Sequence, residues 1–482
     1  MQSMVERKSM VLVSVLLGTL MSAIDATIVI LAIPTITDDL STSLFLSIWT
    51  IILYLLVLAV LTTQLGSMSD TYGRRKLFIV GFVIFTIGSG LSGASPDILL
   101  LIIFRGLQGI GAAMIQANGG AIIADTYEAK ERGRAFGFIS LGWNIGGVLG
   151  IVLGGIITTF VGWRFIFYIN IPIGILGVYL GWRYIKPSER LPSKIDLRGM
   201  LYLAASLSAI SYGATDIAGQ GTSLFNISLI VAGFLILAPF ILAERKVPNP
   251  IINLKAFSNR ILTFSLIAAM SQAIGYISVV FILIMYLQGI RGLTPFQAGL
   301  LLVPGYVIAS FLSPRMGHYS DIVGPRIMAT LGIFLMAVGV LFYFFLGVNT
   351  TYWVVIAGSL VSGIGASMFW PANNSSVMSS APMEIYGSIS GLLRTLSNIG
   401  TLFSFVMAIS VASASVPRQV AFEVFAGTSN LVGGVTTKFL GGIHSALLIS
   451  ILILVVAGML SILRGSKQIK EETKKGPKVT NK

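Results

Sequence analysis

Gly66-Ser-Met-Ser-Asp70-Thr-Tyr-Gly73-Arg74-Arg75-Lys76 is a short polar break between two long apolar runs. A second stretch, Gly317-His-Tyr-Ser-Asp321-Ile-Val-Gly324-Pro325-Arg326, repeats its skeleton 251 residues later. In both, Asp follows the first Gly by four, the next Gly follows Asp by three, and an Arg stands two beyond. Two such strings in register indicate a chain built from two copies of one unit.

The 482 residues are 55% hydrophobic and 10% charged, with a mean hydropathy of +0.90. Soluble domains carry about 25% charged residues, so the solvent of this chain is lipid. A formal charge of +14 would point to nucleic acid in a soluble domain. Here it reflects Lys and Arg gathered in cytoplasmic loops, and no nucleic-acid partner is expected. The absence of cysteine excludes disulfides and thiol chemistry. His318 and His444 stand far apart, which argues against a metal site. The apolar run after Arg7-Lys8 is long enough to be a retained first helix rather than a signal peptide.

Fourteen runs reach the length of about 20 apolar residues that a span needs. They fall at 10–33, 45–66, 77–95, 98–122, 134–158, 164–185, 199–216, 224–243, 261–287, 296–314, 327–346, 352–375, 388–412 and 443–463. Runs of this length without alternation exclude a barrel, so the expected class is an all-α integral membrane protein. With the N-terminus inside, 26 of the 32 Lys and Arg fall in inside segments. This places both termini in the cytoplasm. The Gly66 string lies between spans 2 and 3 and the Gly317 string between spans 10 and 11, a shift of eight. Six-helix halves then leave two extra spans between them. The expected order is 6 + 2 + 6: an N-terminal half at 1–186, two inserted helices with linkers at 187–260, a C-terminal half at 261–465 and a basic tail at 466–482. The long outer loop at 413–442 has no assigned role.

Several motifs now carry a resemblance. The Gly66–Lys76 string resembles the signature loop of the major facilitator superfamily, and the chain resembles its fourteen-helix drug:H+ antiporter branch. Leu101-x-x-x-Arg105-x-x-Gln108-Gly109-x-Gly111 resembles the helix 4 motif with its membrane-embedded Arg. Asp25-Ala-Thr27-Ile-Val-x-x-Ala32-x-Pro34 and the stretch from Gly162-Trp163-Arg164 to Asn170-Ile-Pro172-Ile-Gly174 resemble the branch's helix 1 and helix 5–6 motifs. One departure is Ile151, where the family's antiporter motif has Pro.

The residues themselves limit the chemistry. An ionisable group deep in a bilayer costs about 2.5–3.5 kcal/mol on insertion scales, so such groups line cavities or pair. Asp25 and Arg105 both lie roughly 10–12 Å below the outer surface by helix rise. Similar depth and opposite charge make them candidates for a proton-coupling or cation-binding pair. The alternative is a structural ion pair. Burial favours the neutral carboxyl and a neighbouring Arg the charged one, and a group held between these can load and release a proton. If the cargo is cationic, it would compete with the proton for Asp25. The acids of the second half lie in or beside loops, which suggests charge chemistry confined to the first half, and the 251-residue offset places Tyr276 opposite Asp25.

In the signature loop, Gly66 and Gly73 shape the turn and Asp70, Arg74 and Arg75 carry charge. The resemblance implies a latch of Asp70 with Arg74 or Arg75, echoed weakly at Asp321 because Pro325 replaces Arg74. Gly142, Gly146, Gly150 and Gly154, with Gly155 beside them, form one glycine face that allows very close helix packing. It is read as a seal between the halves or as ordinary packing. Candidate pocket residues are Gln116, Asn118, Gln272, Tyr276, Phe369, Trp370 and Asn373, each of which also has a plain packing reading. The expected function is proton-driven efflux of hydrophobic or amphiphilic compounds, cationic ones included. The expected setting is a multi-pass monomer in the plasma membrane, with small-molecule cargo, protons and lipid as partners and no cofactor. The alternative is symport or export of another small molecule, such as a nutrient, lipid or siderophore. Clustered catalytic groups are lacking, so no enzyme is expected.

Overall fold

The computed structural model describes residues 2–127, 129–187, 196–245, 247, 250–252, 257–380, 386–413 and 435–465. In chain order the helices are α1 (Gln2–Asp39), α2 (Leu44–Tyr72), α3 (Arg74–Gly93), α4 (Ile98–Thr126), α5 (Ala129–Phe160), α6 (Phe165–Tyr168), α7 (Asn170–Tyr184), α8 (Leu197–Gln220) and α9 (Leu224–Glu244). There follow α10 (Arg260–Tyr276), α11 (Val279–Ile284), a π-helical stretch Met285–Ile290, α12 (Pro295–Val323), α13 (Pro325–Phe344), α14 (Tyr352–Ser380), α15 (Tyr386–Ser413) and α16 (Val435–Leu463).

All fourteen expected spans coincide with helix, with two differences of detail. The sixth is broken at Ile169 into α6 and α7, and the ninth is broken into α10, α11 and the π stretch. Thirteen stretches among the described residues are long and apolar enough to cross a membrane. The expected span at 199–216, now α8, is not one of them. Its sequence carries Ser206, Ser208, Ser211, Thr215 and Asp216, which dilute its hydropathy. One of them joins the two helices: Ser206 donates to the carbonyl of Gly233 in α9 at 2.8 Å.

Local chemistry fixes the helix ends. Asp97 caps α4 by accepting from the Leu100 N–H at 2.9 Å, and Thr294 with Gln297 forms a capping box at the start of α12. The two repeated turns share one geometry. Gly73 has φ +101° and Gly324 φ +100°, each ending one helix and starting the next. L side chains avoid that region, so only glycine joins these helices without a loop.

The helices pack as two groups. α1–α7 contact one another, as do α10–α16. α8 and α9 pack chiefly on each other, with α8 also against α2 and α15. Close glycine approaches show that the two groups repeat one another. Gly81 meets the Gly111 carbonyl where Gly332 meets that of Gly365, and Gly88 meets Gln108 where Gly339 meets Ser362. Gly109 meets Tyr54 and Val57 where Gly363 meets Gly305 and Ile308. Gly146 meets Leu20 and Ala23 where Gly400 meets Met270 and Ala273. The register shift is therefore not uniform. Within α1 it is one residue shorter than at the turns, so Gly275, not Tyr276, stands opposite Asp25. Within α4 it is three longer, so Arg105 matches Ser359 and Gln108 matches Ser362.

Between the groups, α5 runs along α12 and α2 along α15. At the end away from the repeated turns the contact is tight: a Cβ on Gly155 would strike the Phe296 backbone, and one on Gly299 would press on Ile151 and Leu31. Phe160 and Phe296 meet there edge to face, with ring centroids 6.0 Å apart. Nearer the turns the contact rests on single hydrogen bonds, Thr63 with Thr395 at 2.6 Å and Asn144 with Ser313 at 3.3 Å.

Candidate functional site

Five helices of the first group converge on one charge centre. Arg105 Nη1 of α4 donates to Asp25 Oδ2 of α1 at 2.7 Å and to Gln108 Oε1 at 2.7 Å. Gln108 Nε2 donates to the other carboxylate oxygen, Asp25 Oδ1, at 2.8 Å. Asn170 Nδ2, at the start of α7, reaches the same oxygen at 3.4 Å and Ser89 Oγ of α3 at 3.0 Å. Arg105 Nε donates to the Thr50 carbonyl of α2 at 3.1 Å, and its guanidinium lies over the Tyr54 ring at 4.2 Å. Asp25 and Gln108 are 0% exposed and Arg105 is 1%.

Arg105 and Asp25 neutralise each other inside a buried seam, and Gln108 bridges them. Protonating Asp25 would remove the charge that holds Arg105 and leave one donor without an acceptor. A change of charge here is thus tied to the packing of α1, α4 and α7. The Tyr54 hydroxyl and the Asn170 carboxamide oxygen are buried beside the carboxylate with no hydrogen-bond partner among the described residues.

Other expected site residues are dispersed. At the first turn, Arg74 Nη1 pairs with Asp125 Oδ1 of α4 at 2.5 Å. Arg75 Nη2 donates to the Trp182 carbonyl at 2.6 Å, and Gly66 lies against Ala117 of α4. The side chains of Asp70 and Asp321 lie outside the described residues, as do most of the 413–442 loop and the 466–482 tail. Asp125 was not expected; its signal was an acid at the turn-side end of an apolar span, opposite the basic turn.

The glycine face requires a correction. Gly142, Gly146, Gly150 and Gly154 pack on Leu16, Ala23, Ile24, Thr27 and Ile28 of α1, within the first group. They do not seal the two halves together. That contact belongs to the adjacent row, because Gly147 meets Tyr306 and Gly155 meets Phe296, both in α12. The two rows lie about 100° apart around α5 for each residue step, so sequence spacing finds the faces but not their partners.

The pocket candidates do not form one wall. Asn118 donates to its own helix at Met114, and Asn373 donates to the Ser265 carbonyl of α10 at 3.2 Å. Gln272 contacts the Met336 sulfur at 3.7 Å. Phe369 is fully buried beside Trp370 at 5.3 Å between rings. Tyr276 faces Ser362, and Gln116 is half-buried on α4. Most of these fill helix–helix seams.

Charge is also not confined to the first half, because Arg394 of α15 lies within the membrane-spanning stretch. Its guanidinium lies over the Trp143 ring of α5 at 5.8 Å. None of the sequence motifs includes Arg394. Its facing residue, on a helix 251 positions away in the chain, leaves no local trace.

Comparison with known proteins agrees with this architecture. The model for the Major Facilitator Superfamily matches residues 15–405. The riboflavin transporter RibZ of Clostridioides difficile is 31% identical over 404 residues, covering 83% of this chain and 88% of that protein. The multidrug resistance protein Stp of Mycobacterium tuberculosis is 29% identical over 401 residues, covering 83% and 74%. A solved bacterial homologue of the human lysosomal transporter Spinster superposes with a TM-score of 0.63 at 17% identity, over 95% of this chain and 97% of that one. Relatives of this kind mark the chain as a multi-pass plasma-membrane transporter and not an enzyme. On the repeated helical fold and the match along most of its length, the chain belongs to the Major Facilitator Superfamily.

Proposed function

We propose that the protein is a proton-coupled antiporter that exports hydrophobic or amphiphilic compounds by alternating access, driven by the proton gradient without a cofactor. In this reading the chain is a monomer arranged 6 + 2 + 6, with both termini and both repeated turns in the cytoplasm. The observation that carries it is the sealed Asp25–Arg105–Gln108 centre.

The coupling follows from hydrogen-bond accounting. Ionised, Asp25 accepts from Arg105, Gln108 and Asn170 and locks α1 to α4 and α7. A proton on Asp25 converts one acceptor into a donor, frees Arg105 and loosens that lock. The unpartnered Tyr54 hydroxyl and Asn170 oxygen give a polar route to the carboxylate. Because Asp25 is fully enclosed, the proton and the cargo occupy separate sites.

Several similar proteins are named for multidrug resistance, which supports efflux. RibZ supports a second reading: the same fold moving a specific planar nutrient. The two separate in everted vesicles with a preformed inside-acid gradient. Adding rhodamine 6G, ethidium or riboflavin in turn should dissipate the gradient for transported cargo only. Asp25→Asn is expected to abolish that response while the protein still inserts. Retained proton flux in the variant would remove Asp25 from the mechanism. Response to riboflavin alone would favour the second reading.

A further inference from the structure

Arg394 differs from the other two charges set well inside the apolar spans, Asp25 and Arg105. Asp25 and Arg105 neutralise each other. Arg394 has no ion pair and no hydrogen bond among the described residues, only the Trp143 ring. An unneutralised guanidinium at this depth is costly, and it is retained where it lines a cavity or meets a ligand.

Arg394 sits on a helix face whose neighbours leave polar groups unmet. Gly391, Arg394, Asn398 and Thr401 share one face of α15 by their three- and four-residue spacing. The neighbouring faces are occupied: Thr395 meets Thr63 of α2, and Gly400 packs on Met270 of α10. On the face of Arg394, a Cβ at Gly391 would meet nothing within 4 Å among the described residues. One turn beyond Arg394, the Asn398 carboxamide nitrogen is buried and also unpartnered. One turn beyond Thr401, Phe405 closes the face by packing on Phe281 at 5.7 Å. The strip thus runs from open space to an apolar plug. Between them lie the Arg394 guanidinium and the Asn398 carboxamide nitrogen, neither with a hydrogen-bond partner among the described residues.

We infer that Arg394 and Asn398 of α15, with Trp143 of α5, form a cargo-binding clamp for planar aromatic compounds that carry an anionic oxygen. The guanidinium binds the oxygen with charge-assisted hydrogen bonds, and the indole stacks on the ring. Asn398 supplies a second polar contact one turn deeper. Arg394 belongs to the second group of helices and Trp143 to the first, so a bound molecule bridges the two bodies that alternating access moves. This rests on the transporter reading for its consequence, but binding to the clamp needs no proton coupling. A cationic cargo is disfavoured at this point by like charge.

Two xanthene dyes of similar shape test the clamp: fluorescein, an anion near neutral pH, and rhodamine 6G, a cation. Binding is read by fluorescence anisotropy on the purified full chain in nanodiscs. The native protein is expected to bind fluorescein at least tenfold more tightly than rhodamine 6G. Arg394→Gln should lose that preference, Arg394→Lys should keep part of it, and Trp143→Leu should weaken both dyes together. Correct folding of each variant is checked by gel filtration and by an unchanged unfolding midpoint. An unchanged fluorescein affinity in folded Arg394→Gln overturns the proposal, and so does tighter rhodamine 6G binding by the native chain. If fluorescein binds as expected but no dye moves protons in vesicles, the antiport reading fails and the clamp stands.

Discussion

The two groups of helices share a backbone but not a chemistry. In the register set by their glycine contacts, Asp25 and Arg105 of the first body become Gly275 and Ser359 in the second. The turn pair Arg74 and Asp125 becomes Pro325 and Ser379. Tyr54, which lies under Arg105, becomes Gly305, whose N–H bonds Ser359 Oγ at 2.9 Å. Each ion pair is thus lost at both partners together. For the buried Asp25–Arg105 pair physics asks for that: removing one partner leaves a buried charge uncompensated, whereas removing both with good packing is nearly neutral. The second body has exchanged ionic locks for hydroxyls, with Tyr276 and Tyr343 both facing Ser362. The buried ion pair thereby sits in one group, and the other keeps Arg394, which has no ion pair or hydrogen bond among the described residues.

The largest break of this comparison is Arg105→Ser, which imposes the second body's residue on one partner only. It should cost about 3–5 kcal/mol, read as a large drop in the unfolding midpoint. The double variant Asp25→Gly with Arg105→Ser should recover much of that stability while remaining inactive in transport. A double variant no more stable than the single would refute paired loss as the reason for the asymmetry.

Next in size is Gly150→Leu. Its added atoms would collide with Thr27 and the Ile24 backbone of α1. Transport should be lost, whereas Gly391→Ala, facing open space, should leave folding intact. A fully active Gly150→Leu would show that α1 and α5 can separate freely.

The smallest effect on stability belongs to Asp125→Asn. Arg74 and Asp125 are 25% and 44% exposed, and such pairs contribute about 0–1 kcal/mol. Its consequence should appear in the balance of conformers instead. The chain lacks cysteine, so Thr63→Cys with Thr395→Cys gives a single reporter pair across the bodies. Disulfide yield in that background should change when Asp125 is replaced, and an unchanged yield would leave the turn without a latch.

The sequence by itself determined the solvent, the helices and the repeat. Hydropathy decides burial in lipid, and a glycine forced to positive φ decides where two helices join without a loop, so Gly73 and Gly324 were legible as turns. Depth along α1 and α4 was enough to set Asp25 and Arg105 at one level. Only the tertiary structure decided which helix each face meets. Spacing along α5 shows two glycine rows but not that one serves α1 and the other α12. Nor can it show that Asp125 reaches Arg74, that Asn170 closes the Asp25 centre, or that Arg394 faces Trp143. These contacts join residues 51, 145 and 251 positions apart, and their chemistry follows from helix rotation and register. In lipid those are set by close packing among neighbours rather than by any pattern within one helix.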